Sequence, residues 1–261
     1  MRPRRRSVPD GNDVTATMRP PFWARIVLIA LAIAPHAVAA QTPPYVAVLI
    51  AGERDVPVFD RATAAMQARL QEMGAAKSDI TRLSATPVAT GPDPIALATL
   101  GNVSRAIAVL SPAVGQTCFV YITSHGGPRL GLVLAPRGEF LNPKILDRAL
   151  NKGCKDAPAV VIASGCYSGD FARRPMARDN RIVLTAARAN RPSFGCGADF
   201  DFTVYDQCLL AAMTPGTLWR DAYDQIRRCV RARERDEDFP ASGPQAWFGV
   251  KMRDAVIGQL P

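Results

Sequence analysis

Four stretches of this sequence are apolar almost without interruption, and they constrain the fold more than anything else in it. YVAVLIAG (45–52), CFVYIT (118–123), AVVIA (159–163) and RIVLTA (181–186) each run for five to eight residues and then stop. A strand wetted on one face alternates apolar and polar residues. A run that is apolar throughout is buried on both faces, as in a parallel sheet covered by helices. Helical segments lie between these runs. RATAAMQARLQEMG, with Asp60 as its expected N-cap, puts Ala62, Ala65, Met66, Leu70 and Met73 on one face, and Gly74 closes it. Residues 95–110 read as a helix weakened by Gly101. In NPKILDRALNKG, Asn142 caps, Pro143 takes the first helical position and Gly153 ends the helix. FDFTVYDQCLLAAM is helical, TPG turns the chain, and Thr217 caps LWRDAYDQIRRCVRARE. Residues 79–83 form a short further strand, 131–136 a hairpin piece, and TPVATGPDP a connector. Strands alternating with helices define an α/β fold with a mostly parallel central sheet flanked by helices. Ligands bind such sheets at the carboxyl ends of the strands.

The chain has 261 residues, 48% of them apolar, enough for one domain with a core that needs neither metal nor disulfides. Its formal charge of +9 is inflated by residues 1–40, which hold six Arg and two acids. The remaining 41–261 carry 26 bases against 21 acids. The densest basic run, IRRCVRARERDED, is followed by its own acids and has no interleaved aromatics, so it reads as a solvated helix face and not a nucleic-acid patch. MRPPFWARIVLIALAIAPHAVAAQ reads as an export signal: Arg19 and Arg25, then the apolar run 26–34, then small residues, with cleavage expected after Ala40. An uncleaved anchor is the alternative, although a span needs about 20 apolar residues. The expected domains are thus an N-terminal extension and signal peptide (1–40) and one catalytic-size domain (41–261), placed in the periplasm or outside the cell, without stable membrane association after cleavage. The true start is Met1 or Met18.

All six cysteines lie in 41–261: Cys118, Cys154, Cys166, Cys196, Cys208 and Cys229. An oxidising compartment permits disulfides. Cys118 and Cys154 are expected near one edge of the sheet, where a bridge is reasonable. Cys208 and Cys229 sit at unequal distances from the turn between their helices and are expected to stay unpaired. His125 is the one histidine of 41–261, so any imidazole chemistry must use it. With no C-x-x-C pair and one histidine, no zinc site is expected, and no cofactor. FVYITSHGG carries His125 just past one strand end, and VVIASGCYSGDF carries Cys166 just past another. One crossover helix joins these strands, so the two ends are expected side by side. An imidazole beside a thiol can take its proton, and glycine-flanked turns expose N–H groups that bind an oxyanion; Gly126 and Cys166 are the natural donors. Cys is often merely buried, and Ser124 and Ser168 are competing hydroxyls. The central position of GCYSG is Tyr167, which excludes a serine nucleophile elbow.

YITSHGG, then VVIASGCYSGDF, then LTAARANRPSFGCG, in this order, is similar to the legumain-type (asparaginyl endopeptidase, C13) cysteine peptidases of the caspase-like clan, nearest to exported bacterial members. The resemblance implies a caspase-like three-layer sandwich, a dyad of His125 and Cys166, an oxyanion hole from Gly126 and Cys166, and a peptide or protein substrate. It also implies substrate contacts from Ser193, Asp206, Ser164 and Arg61, with Arg54 competing for the last. Ser164 and Tyr167 flank the cysteine where animal and plant members carry acids, which puts strict asparagine preference in question. A transamidase using the same dyad, a catalytically silent caspase-like binding module and a thiol esterase remain open as alternatives. A monomer or weak oligomer is expected.

Overall fold

The computed structural model describes residues 44–88, 94–197 and 199–259. The export signal, its cleavage after Ala40, and the centre of the TPVATGPDP connector lie outside the described residues. Among the described residues no helix is long and apolar enough to cross a membrane.

The four apolar runs become β1 (Tyr45–Ala51), β4 (Thr117–Thr123), β8 (Ala159–Ser164) and β9 (Arg181–Thr185). With β2 (Ile80–Ser84), β3 (Ala96–Leu97) and β10 (Gln245–Phe248) they form a sheet in the order β10-β9-β8-β4-β1-β2-β3. Every pairing in it is parallel except β10 on β9. Successive side chains of a strand point to opposite faces. Tyr45, Ala47, Leu49, Phe119, Tyr121, Val160 and Ile162 accordingly pack on one side, and Val48, Ile50, Cys118, Val120, Ile122 and Val161 on the other. The first face is covered by α1 (Val58–Glu72), α4 (Val204–Ala212) and α5 (Trp219–Asp236). The second is covered by α2 (Leu100–Ala108) and α3 (Pro143–Gly153). This is the expected three-layer sandwich.

Between β4 and α3 the chain makes a small antiparallel sheet, β5 (Gly126–Gly127), β6 (Gly131–Leu134) and β7 (Glu139–Leu141). The hairpin piece expected at 131–136 is β6. The caps of α3 are as expected: the Asn142 side chain accepts from the Ile145 N–H.

Four helix starts differ from the sequence reading, α4 among them, which begins at Val204 and not Phe200 because the Thr203 side chain caps the Asp206 N–H. α1 begins at Val58, with Pro57 at the cap, so Asp60 stands in the first turn, where its charge suits the positive end of the helix. α2 begins at Leu100, because the Thr99 side chain caps the Asn102 N–H and residues 96–97 are drawn into β3. Gly101 therefore sits in the first turn and does not weaken the helix interior. α5 begins at Trp219; the Thr217 carbonyl accepts from the Ile257 N–H, and Leu218 bridges Val256. That pairing holds residues 217–218 of the connector extended and takes Thr217 out of the cap.

The two helices this connector joins also correct the cysteine expectation. Cys208 and Cys229 are disulfide-bonded, with Cα atoms 5.7 Å apart. Cys208 lies four residues before the end of α4, and Cys229 ten residues past the start of α5. The axial offset of about 9 Å that follows at 1.5 Å per residue is taken up by the connector 213–218, which turns at Pro215–Gly216 and then runs extended at 217–218 beside Val256 and Ile257. Cys118 and Cys154 are bridged as well, from the first turn of β4's run to the residue after α3.

Candidate active site

β4 and β8 are direct neighbours, with Thr123 opposite Ser164 in the last register pair. Beyond it the Ser124 N–H donates to the Ser164 carbonyl at 3.0 Å, so the two strands stay paired until the chains turn out. His125 is the next residue on one side, and Gly165 and Cys166 follow on the other. The turns touch through their backbones. A Cβ built at Gly126 would fall on the Cys166 carbonyl oxygen, and one built at Gly165 on the Ser124 carbonyl oxygen. Glycine at both positions is what lets these loops approach. Tyr167 then adopts a left-handed backbone (φ 56°), uncommon for a bulky residue, and donates its N–H to the Arg191 carbonyl at 2.8 Å. This reversal ends the strand and leaves Cys166 half-buried at its tip, with the short helix Ser168–Ala172 running away beneath.

The His125 ring is also half-buried and packs edge-on against Phe59 of α1, centroids 5.3 Å apart and planes at 81°. Cys166 and Cys196 are the free cysteines among the described residues. The Cys166 thiol lies against Ser193: it donates to the Ser193 carbonyl at 3.4 Å, receives the Ser193 N–H at 3.3 Å, and has the Ser193 hydroxyl at 3.8 Å. Three residues on, Cys196 packs with Ala51, Val58 and Phe59. Burial pushes its thiol pKa up, and the nearby Cys166 adds to the rise. Ser193, Phe59, His125, Cys166 and Cys196 thus form one half-open cluster on the carboxyl edge of the sheet.

The structure separates the other expected site residues from this mouth. Ser164 is 1% exposed and Asp206 fully buried, so both side chains lie beneath the mouth and not on its surface. The burial has a simple cause: Ser164 is the last residue of β8, with its side chain inside the sandwich, and Asp206 is in the first turn of α4 on its inner face. The Thr123 hydroxyl donates to Asp206 Oδ2 at 2.7 Å, and the Thr203 hydroxyl caps the Asp206 N–H. Burial raises the Asp206 pKa; hydrogen bonding from Thr123, with Ser164 and Tyr121 close by, partly offsets the rise. These groups are a polar floor under the site. Arg61 does not project into the mouth either. Its Nε donates to the Asp201 carbonyl at 2.9 Å and its Nη2 to the Phe200 carbonyl at 2.6 Å, clamping α1 to the segment after Cys196. Arg54 is exposed at the loop after β1. The sequence reading missed Phe59, since an aromatic at the start of an amphipathic helix gives no sign of packing on a histidine 66 positions later. It also missed the nearly buried Glu53, which follows β1 on the same edge and whose Oε1 accepts from the Arg54 N–H.

A parallel sheet between two helical layers, with a free thiol and an imidazole on adjacent strand ends, is the plan of the caspase-like α/β proteins. The solved structure of caspase-1 from Spodoptera frugiperda is similar in fold: it aligns over 80% of this chain and 94% of its own, with a TM-score of 0.54 and 10% identity. No curated protein sequence matches the chain. The family model for the Peptidase C13 family matches residues 99–248, a span that holds both strand ends and Ser193. The chain belongs to the Peptidase C13 family, the legumain family of cysteine peptidases.

Proposed function

We propose that this chain is an exported cysteine endopeptidase working through Cys166 and His125. The Cys166 sulfur gives its proton to His125 and adds to the peptide carbonyl. The backbone N–H groups of Gly126 and Cys166 receive the oxyanion. His125 then protonates the departing amine, leaving an acyl-enzyme on Cys166, and water releases the acid. The observation that carries this reading is the convergence of β4 and β8: it sets the imidazole-bearing and thiol-bearing turns in backbone contact, with Cys166 free and half-open beside Ser193. The preference is for Asn or Asp before the cut bond, resting on the family and on Ser193 at the thiol. Export is supported by the two disulfides, which persist in oxidising compartments.

Digestion of a peptide library tests the reading. The wild-type chain is expected to cut after Asn or Asp. Cys166→Ala is expected to lose at least about 10³-fold in kcat/KM, and His125→Ala about 10²–10⁴-fold, with unchanged melting temperatures. Cleavage that survives in Cys166→Ala would sink the dyad, and clean cutting after other residues would sink the stated preference.

A further inference from the structure

Beside the Cys166 turn lies a cleft of about 570 Å³ lined by Arg129, Arg173 and Arg188, with Asp170. Arg129 is four residues past His125, on the exposed tip between β5 and β6. Asp170 and Arg173 belong to the short helix that follows Cys166 and to its end. Arg188 is three residues before Arg191, whose carbonyl holds the Tyr167 N–H. The cleft is therefore built from the same three loops that build the thiol-bearing mouth. A second cleft of about 340 Å³ shares Arg188 and Gln245 with the first, and adds Arg191, Arg227, Arg231 and Glu234. Six guanidiniums thus line two linked depressions holding two carboxylates.

Neither carboxylate cancels the excess. Asp170 makes one long contact, 3.5 Å, to an Arg173 whose side chain is 69% exposed. Glu234 is 4% exposed and turned inward, its Oε1 accepting from the Ser242 N–H at 3.0 Å. Arg191 is anchored on the Ala241 carbonyl at 2.8 Å, and Arg227 reaches Asp224 only at 3.8 Å. Among the described residues no carboxylate pairs with Arg129, Arg188 or Arg231. Concave cationic walls beside a reaction centre concentrate anionic ligand.

We infer that these linked clefts hold an acidic stretch of the substrate polypeptide, so that the enzyme prefers proteins with several Asp or Glu residues near the cut bond. This rests on the peptidase reading above. A peptide is favoured over other polyanions because the first cleft is built from the loops that follow His125 and Cys166, and because the aromatic ring against these guanidiniums, Tyr223 under Arg227, is half-buried with its hydroxyl donating to the Pro244 carbonyl, and so is not free to stack a base. The recognition is electrostatic and multivalent. Each partly exposed ion pair contributes about 0.5 kcal/mol, so three give about a ten-fold preference at low salt.

The test compares fluorescent peptides that share one Asn-centred cut site and carry three Glu, three Gln or three Lys on either side of it. For the wild-type full chain, kcat/KM for the Glu peptide is expected to exceed that for the Gln peptide by about ten-fold, with the ratio collapsing in 0.5 M (about physiological times three) salt. The paired reversal Arg129→Glu/Arg188→Glu is expected to invert the order of Glu and Lys peptides, while Arg105→Glu on α2, outside the clefts, keeps the wild-type ratio. Fluorescence anisotropy on Cys166→Ala reads binding of the same peptides without chemistry. Tighter binding of the Glu peptide, lost in the reversal, supports the inference even if nothing is cut, and then only the peptidase reading fails. Equal rates and equal binding for all three peptides overturn the inference and leave the peptidase reading standing. An equal loss in Arg105→Glu overturns it too, by showing a general charge effect. So does a Cys166→Ala chain that binds a DNA duplex or anionic vesicle but not the Glu peptide.

Discussion

At the amino end of the central sheet a cysteine and an aspartate are tied down; at the carboxyl end the cysteines carry no bridge and an aspartate keeps one buried oxygen unpaired. Cys118, where β4 begins, is bridged to Cys154. Asp147 of α3 receives Arg181 at 2.8 Å, where β9 begins, and Arg178 through two nitrogens at 2.9 Å. Arg181 is 1% exposed, and Asn151 accepts its remaining arm. At the other end Cys166 and Cys196 are free, and Asp206 Oδ1, Ser164 Oγ and Tyr121 Oη are buried without a well-aligned hydrogen bond. The same residue types serve stability where every valence is satisfied and are open to chemistry where it is not. Stability and reactivity in this fold are therefore separable along a single strand direction.

Three substitutions sharpen or break that separation. The largest effect is expected from Asp147→Ala, which strands the buried Arg181 charge. Urea unfolding should show a loss of about 3–5 kcal/mol, with peptide cleavage per folded molecule unchanged. A loss under about 1 kcal/mol would mean that Arg181 finds water or another partner and that the amino end is not locked. Next, Cys118→Ala/Cys154→Ala opens a crosslink spanning 36 positions. The expected cost is about 3–4 kcal/mol, again without change in kcat/KM; a matching fall in activity would show that the two ends are coupled.

The smallest effect concerns pH, and there the two aspartates have opposite signs. Burial pulls the Asp147 carboxyl up, but the hydrogen bonds and charges of Arg178 and Arg181 outweigh it and hold the pKa low. Its contribution is present above the unfolded value of about 3.9 and is lost as pH falls through the lower folded value. Asp206 is raised by burial. Its contribution is full below about 3.9 and is lost as pH rises through the higher folded value. Asp206→Asn keeps an acceptor for Thr123 and removes the ionisation, so it should gain on the wild type as pH rises from about 4 to 7. Urea midpoints across that range check it, and a variant that tracks the wild type at every pH would remove Asp206 from the comparison.

The fold was legible because burial on both sides leaves a strong trace: β1, β4, β8 and β9 are all apolar runs, and the helix at Asn142 carries its own cap. The pairing of the His125 and Cys166 turns was legible because one crossover helix usually returns the chain to the adjacent strand. What escaped depends on tertiary context. The Cys208–Cys229 bridge depends on a connector whose end is pinned by the C-terminal segment at Val256 and Ile257, which no count of residues from the turn reveals. Ser164 and Asp206 look like surface groups by residue type, and only their register on β8 and α4 turns them inward. Arg61 has the chemistry to bind a carboxylate, yet its guanidinium is spent on two carbonyls 139 and 140 residues away in the chain.

That last grip has a mechanical side. The wall beyond Ser193 hangs from α1 by a two-pronged bracket. Whatever presses against Phe200 and its neighbours loads the first helix, and through it the strand from which that helix springs. A lysine at 61, with one point of attachment in place of a fork, would loosen that hold without touching the thiol.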